Sequence, residues 1–293
     1  MVIRAFLSLA LLVALLVPAA LPASAEEGGA NSPAMEQGLT AFYAGKWDEA
    51  IPAFEQVLEQ DPQNTLALSY ILHAYYKKRD INGVINQIEQ KAVARGEDPQ
   101  MQAQLGMAYF LRGMIMPNVL DEALTEFKAA MKDNPDLAMP YTGTGLVYFQ
   151  KRMMPRAKGY FIRALRLNPH DVMAMDRLGN ILLVDEQKPQ EAMQLFERIL
   201  AELPLYPDGY YFMGSALFDM KKFEEAIPYL KRCAELDPNG FTQGFDAATL
   251  LGDTYLQLGR NQEALVAFEA ARKIHPDSKY VEMKIKKAKG ENS

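Results

Sequence analysis

The chain has 293 residues, 49% of them hydrophobic and 23% charged, with 31 basic against 37 acidic side chains. A formal charge of −6 argues against nonspecific nucleic-acid binding, which draws on a basic surface. With Cys233 as the single cysteine, no intrachain disulfide can form, and its small-residue position on a helix predicts a buried, inert thiol.

At the N-terminus, Arg4 precedes the apolar run Ala5 to Val17, which is followed by Pro18, Pro22 and the small-residue sequence Ala23-Ser24-Ala25. This order predicts a cleavable signal peptide over residues 1–25, with cleavage after Ala25. The run is shorter than the ~20 residues that span a bilayer, so no transmembrane segment is expected after cleavage. The expected address is periplasmic or secreted, and the near absence of thiols suits an oxidising compartment. Residues 26–34 (EEGGANSPA) are small, polar and Gly-rich and are expected to form a short flexible leader.

From there to residue 278 the apolar residues fall at helical spacing, and one motif recurs. It is clearest at Ala138 to Asp171, where Gly145 and Ala157 are small, Tyr148 and Phe161 are large, and Pro169 closes the unit. The spacing predicts two short helices joined by a tight turn. The first copy carries Gly38, Ala50, Phe54 and Pro62, with Trp47 bracing its turn. A second, over Thr65 to Asp98, is degenerate, with Leu72 and Val84 in the small positions. The third has Gly106, Tyr109, Ala123 and Phe127 around a turn lengthened near Met114 to Asn118. A fifth has Gly179, Ala192, Phe196 and one extra turn residue near Lys188, and a sixth has Gly214, Ala226, Leu230 and Pro238. A short insertion, Phe241 to Gly244, precedes the seventh, which carries Gly252, Ala264, Phe268 and Pro276. Residues 279–293 end the chain with a lysine-rich amphipathic segment, expected to be a capping helix and tail.

This order of small, aromatic and proline residues resembles the tetratricopeptide repeat, whose period is about 34 residues. The resemblance spans nearly all of the chain after the leader. It implies an all-α, right-handed α-solenoid of about seven helix-turn-helix repeats over residues 35–278 with a C-terminal cap. It further implies that the protein holds other proteins rather than transforming a substrate.

In such solenoids the spare face of the first helices lines a concave groove, and carrying that over assigns a partner-binding surface. Its N-terminal half would be apolar: Met35, Leu39, Phe42, Tyr43, Tyr76, Met107, Phe110, Met139, Leu146 and Phe149, with His73 beside them. Its C-terminal half would be polar and acidic: Asp176, Asn180, Asp208, Tyr211, Asp219, Asp246 and Asp253, with Ser215. Met and aromatic side chains suit adaptable burial of a partner's apolar residues, and the acids favour a basic stretch. The competing expectation is a narrow superhelix that buries the apolar half against itself. The terminal-carboxylate clamp of chaperone-tail binders needs Lys, Arg and Asn on this face and is not expected.

No catalytic constellation is present: there is no G-x-S-x-G elbow or phosphate-binding glycine loop, and His73, His170 and His275 lack partners at metal-ligand spacing. Met114, Met116, Met153 and Met154 are expected to pack lengthened turns rather than to hold a metal. Neither cofactor nor metal is expected. The expected partners are other proteins, such as components of an envelope complex, with no nucleic acid. The alternatives are a self-assembling structural protein, whose lysine-rich end docks on the acidic half of another copy, and an envelope protein that binds polysaccharide or another ligand.

Overall fold

A computed structural model describes residues 32–95, 98–116 and 119–291. The expected signal peptide and most of the leader lie outside the described residues. Fifteen α-helices and no strand occur among the described residues. They form seven pairs: α1 (Pro33–Tyr43) with α2 (Trp47–Gln60), α3 (Thr65–Lys77) with α4 (Ile81–Arg95), α5 (Pro99–Ile115) with α6 (Leu120–Asp133), and α7 (Met139–Gln150) with α8 (Met154–Leu167). The series continues with α9 (Val172–Asn180) and α10 (Pro189–Glu202), α11 (Pro207–Asp219) and α12 (Phe223–Leu236), and α13 (Gly244–Gln257) and α14 (Asn261–Ile274). A final helix, α15 (Lys279–Lys289), buries Val281, Ile285 and Ala288 and covers the end of the array. The result is an all-α repeat solenoid.

Five of the seven pairs are drawn together by a glycine of the first helix and the ring of the second, and the sixth pair by Gly214 and Leu230. A Cβ on Gly145 would fall 2.6 Å from the Phe161 ring, so only glycine permits this crossing. The same encounter recurs between Gly38 and Phe54, Gly106 and Phe127, Gly179 and Phe196, and Gly252 and Phe268. All five rings are fully buried. Burial of an aromatic side chain contributes about 1.5–3 kcal/mol, which makes these rings the main packing units of the array.

Turn chemistry repeats with the same period. The link between paired helices takes a left-handed residue: Gly45, Arg79, Arg152, Gln187, Lys221 and Gly259 all have φ between 54° and 75°. Four of the six are not glycine and carry a steric cost. Replacing Arg152, an exposed residue, by glycine is therefore expected to raise stability by about 0.5–1 kcal/mol, read as an increase in Tm. First helices of the first, second, third and fifth pairs are closed by side-chain caps, with Ser32, Asn64, Asp98 and Asp171 each accepting from a first-turn amide.

Three departures from regularity have local causes. The extra residue expected in a turn near Lys188 lies instead inside the helix: α9 runs on as a π-helical turn over Ile181–Asp185, with Glu186 N donating to Ile181 O at 3.0 Å. One surplus residue in a helix forces this wider winding. In the third pair, part of the surplus lengthens α5 to 17 residues. In the second pair, Leu72 stands where glycine would admit a close crossing, and α4 packs more closely on α5 than on α3. Ala92, Met101 and Leu105 form a small cluster of their own there. The displacement leaves a cleft of about 750 Å³ edged by Glu55, Tyr75, Ile88, Lys91 and Met101.

Candidate concave site

The first helices do not diverge into an open groove; the array coils tightly enough for distant repeats to touch. Helix α3 of the second pair meets α9 of the fifth. Between them Asp171, which is buried, accepts from Thr65 Oγ1 at 2.9 Å and from Thr142 Oγ1 at 2.5 Å while also capping α9. Gln63 Oε1 accepts from the Ala138 amide at 2.9 Å, adding a second link from the first turn region to the fourth pair. These contacts convert nearest-neighbour packing into a bridge across the interior. Thr142→Val, which leaves one Asp171 oxygen without its donor, should lower stability by about 1–2 kcal/mol in denaturant unfolding.

Much of the surface expected to be open is accordingly interior. Met35, Leu39, Phe42, Tyr43, Met107, Met139 and Leu146 are buried, so most of the apolar half is closed against the protein itself. Apolar side chains on a strongly curved inner face gain more by meeting across it than by facing water. Tyr76 remains exposed, and Phe110 and Phe149 are half-buried, with the Arg177 guanidinium 5.9 Å from the Phe149 ring. His73 is largely enclosed and bonds through Nδ1 to the Ser69 carbonyl at 2.9 Å, with burial lowering its pKa.

The acidic half divides in the same way. Asp219 and Asp246 are exposed, and Asn180, Tyr211 and Ser215 are half-buried. Asp253 is held by the cap helix, accepting from Tyr280 Oη at 2.7 Å and Lys284 Nζ at 2.5 Å. The lysine-rich end therefore meets one acid of this face within its own chain. Asp176 and Asp208 correct the expected open acidic surface most sharply, since both are buried. Neither carboxylate oxygen of Asp176, nor Oδ1 of Asp208, makes a hydrogen bond of ordinary geometry among the described residues, although the Tyr206 and Thr242 hydroxyls lie close enough to Asp176 and Asp208 to favour their charged forms. Arg177 Nε lies 3.5 Å from Asp176 Oδ2, close enough for charge attraction. Burial is the largest influence on both acids: it raises Asp176, and with the Asp176 charge beside it raises Asp208 to about 7. Tyr43, Tyr70 and Tyr206 are packed into the same region, and burial pushes each phenol well above its ordinary range.

The element that covers this region is the insertion after the sixth pair. Asp237, fully buried, accepts from the amides of Phe241 at 2.8 Å, Thr242 at 2.8 Å and Gly244 at 2.9 Å, which folds residues 237–244 into a strap. Gly240 at φ 65° makes the turn, and a Cβ on Gly244 would collide with the Asp237 carbonyl. The strap reaches the first pair. Phe241 packs edge-on to Trp47 at 4.9 Å and to Phe42 at 6.2 Å, with Lys77 Nζ 5.3 Å from its ring centre. Asn239 Nδ2 donates to the Tyr43 carbonyl at 3.0 Å, and the Tyr43 and Thr242 hydroxyls share a 3.4 Å hydrogen bond. Trp47 thus braces its own turn and also receives the strap.

Several of these residues escaped the sequence reading. Asp171, Asp237, Tyr70, Tyr206 and Arg177 belong to no repeat motif, and only Asp237-Pro238-Asn239-Gly240 carries a local signal, that of a turn. His170 is half-buried with Nδ1 2.9 Å from Glu202 Oε1, whereas His275 is exposed against the Phe245 ring. Met114 and Met116 are exposed and Met153 and Met154 half-buried. No group of three or more His, Cys, Asp or Glu that could hold a metal occurs among the described residues. Cys233 is buried, and burial raises its thiol pKa.

Comparison with known proteins agrees with the geometry. Two family profiles, each described as Tetratricopeptide repeat, match residues 35–100 and 142–210 and residues 183–240 and 217–287. The chain belongs to the tetratricopeptide-repeat family. Among curated relatives, Superkiller protein 3 of Schizosaccharomyces pombe is 23% identical over 84% of this chain and 18% of its own length. The peroxisomal targeting signal receptor of Saccharomyces cerevisiae is 25% identical over 66% of this chain and 32% of its own length. This chain therefore spans a third or less of either relative. Among solved structures, the Cut9-Hcn1 hetero-tetramer of the APC/C aligns with a TM-score of 0.64 at 15% identity, over 85% of this chain and 48% of that one. PilW, a type IV pilus biogenesis factor, aligns with a TM-score of 0.57 at 22% identity, over 66% and 86%. Both share the repeat fold. Tetratricopeptide-repeat proteins generally mediate protein–protein interaction, and the scaffold is generally non-catalytic. No helix of the described residues is long and apolar enough to cross a membrane.

Proposed function

We propose that this tetratricopeptide-repeat protein is a non-catalytic interaction scaffold or assembly factor of the bacterial periplasm, holding a segment of an envelope protein on its inner face. The observation that supports it is a band of incompletely buried side chains on the first helices: Tyr76, Phe110, Phe149 and Tyr211, continued by the exposed acids Asp219 and Asp246. Aromatic anchors beside unpaired acids fit a partner segment carrying apolar and basic residues. The address rests on the N-terminal pattern of Arg4, an apolar run and Ala23-Ser24-Ala25.

Affinity capture from envelope extract of the source organism, with protein beginning at Glu26 as bait, tests this reading. The bait is expected to recover a discrete set of proteins that a Phe110→Ser, Phe149→Ser double variant loses while its Tm stays within a few degrees. Recovery unaffected by the double change, or an N-terminus of the cellular protein still at Met1, would contradict the scaffold and the address respectively.

A further inference from the structure

The strap closes the first repeat in a manner that resembles a bound ligand. Its backbone is turned back on Asp237, whose carboxylate takes three amides and whose carbonyl takes that of Gly240, and it presents one ring and one side-chain amide toward the first pair. One aromatic ring packs edge-on beside the Trp47–Phe42 pair beneath a lysine ammonium, and one side-chain amide takes the Tyr43 carbonyl. That carbonyl lies in the last turn of α1, where no further helical amide can satisfy it. Phe241 is only half-buried, unlike the five core rings, so the middle of the strap lies on the array while its ends, Asp237 and Gly244, are anchored within it. Behind it lie the buried carboxylates of Asp208 and Asp176, with oxygens that no hydrogen bond of ordinary geometry reaches, polar groups that a partner's donor could satisfy.

We propose that Phe42, Tyr43, Trp47 and Lys77 form a peptide-docking niche for a turn-forming segment bearing an aromatic side chain next to amide or hydroxyl groups, and that residues 237–244 occupy it in cis as a displaceable stopper. This deepens the reading of the inner face as a binding surface, and it assigns the entrance that a partner must open. An external segment gains the niche only at the expense of the internal one, which is present at high effective concentration, so the closed form favours partners with further contacts inside.

Trp47 is the sole tryptophan and touches the stopper, so its fluorescence reports the niche without any partner. Phe241→Ala, and separately Asp237→Ala, are expected to shift Trp47 emission to longer wavelength and to raise its quenching by acrylamide, with far-ultraviolet dichroism unchanged. The synthetic peptide Asp-Pro-Asn-Gly-Phe-Thr-Gln-Gly, the sequence of the strap, should then bind the Phe241→Ala protein and reverse the shift. It should bind the unaltered protein at least tenfold more weakly, and alanine in place of its phenylalanine should abolish binding. Unchanged Trp47 emission in both variants, loss of helix in either, or failure of the peptide to bind the opened protein would each overturn the proposal. Because no partner is used, this result is independent of whether the envelope capture succeeds.

Discussion

Phe127→Ala is expected to lower stability by about 3–5 kcal/mol, a fall in Tm of roughly 6–15 °C for a chain of this size. The ring is fully buried, and a Cβ on Gly106 or on Gly143 would fall 2.6 or 2.1 Å from it. It therefore wedges between the first helices of the third and fourth pairs, with glycine on both sides. Neither neighbour has a side chain that can relax into the space, so the cavity persists and the cost should reach the upper part of the range seen for aromatic truncation. Val93→Ala, at a position 83% exposed, should change Tm by less than a degree or two. Thermal unfolding followed by circular dichroism, with both variants in parallel, measures the contrast.

The second large effect is a dependence on pH. Asp208 is raised from 3.8 to about 7 by burial and by the Asp176 charge, with Asp237 adding to the rise and Arg177 opposing it. The phenols Tyr43, Tyr70 and Tyr206 face the same region and stay neutral there. A raised folded-state pKa means that the native protein holds this proton more tightly than the unfolded chain does. The associated stability is complete below about pH 4 and is lost as pH rises through about 7. Asp208→Asn keeps the side chain neutral throughout. It should flatten the decline between pH 5 and 8 and make the variant more stable than the parent at pH 8, by on the order of 2–4 kcal/mol. Urea midpoints at pH 5, 6.5 and 8 provide the check, and parallel curves for the two proteins would remove Asp208 as the cause.

The repeat was legible in the sequence because it rests on short-range chemistry. Gly145 must be small for Phe161 to pass, and this requirement recurs with the repeat period. Even the degenerate second pair carried its warning in Leu72, which holds α4 away from α3. The inner face was not legible to the same degree. Spacing showed that Met35, Leu39, Met107 and Met139 share a spare helix face, yet whether that face meets solvent or another repeat depends on curvature summed over the array. Curvature is set by small shifts at many crossings, and no single residue announces it. The strap escaped for a different reason. Phe241 to Gly244 break the repeat, and an insertion shows where regularity stops without showing what it touches 199 residues away.

That long link also changes how the molecule should unfold. Nearest-neighbour stacking alone lets a solenoid fray from its ends. Here the bridge through Asp171 and the strap on Trp47 tie early repeats to late ones, so the first pair and the sixth should lose structure together.

The most direct test of this closed architecture is the distance between its two ends of contact in solution. Spin labels on Ala44→Cys, at an exposed position beside the niche, and on Glu235→Cys, at an exposed position just before the strap, can be placed selectively because Cys233 is buried. Double electron–electron resonance is predicted to give one short, narrow distance distribution in the unaltered protein and a longer, broader one with Phe241→Ala. A broad distribution in the unaltered protein, superimposable on that of the variant, would show an open solenoid and contradict the account.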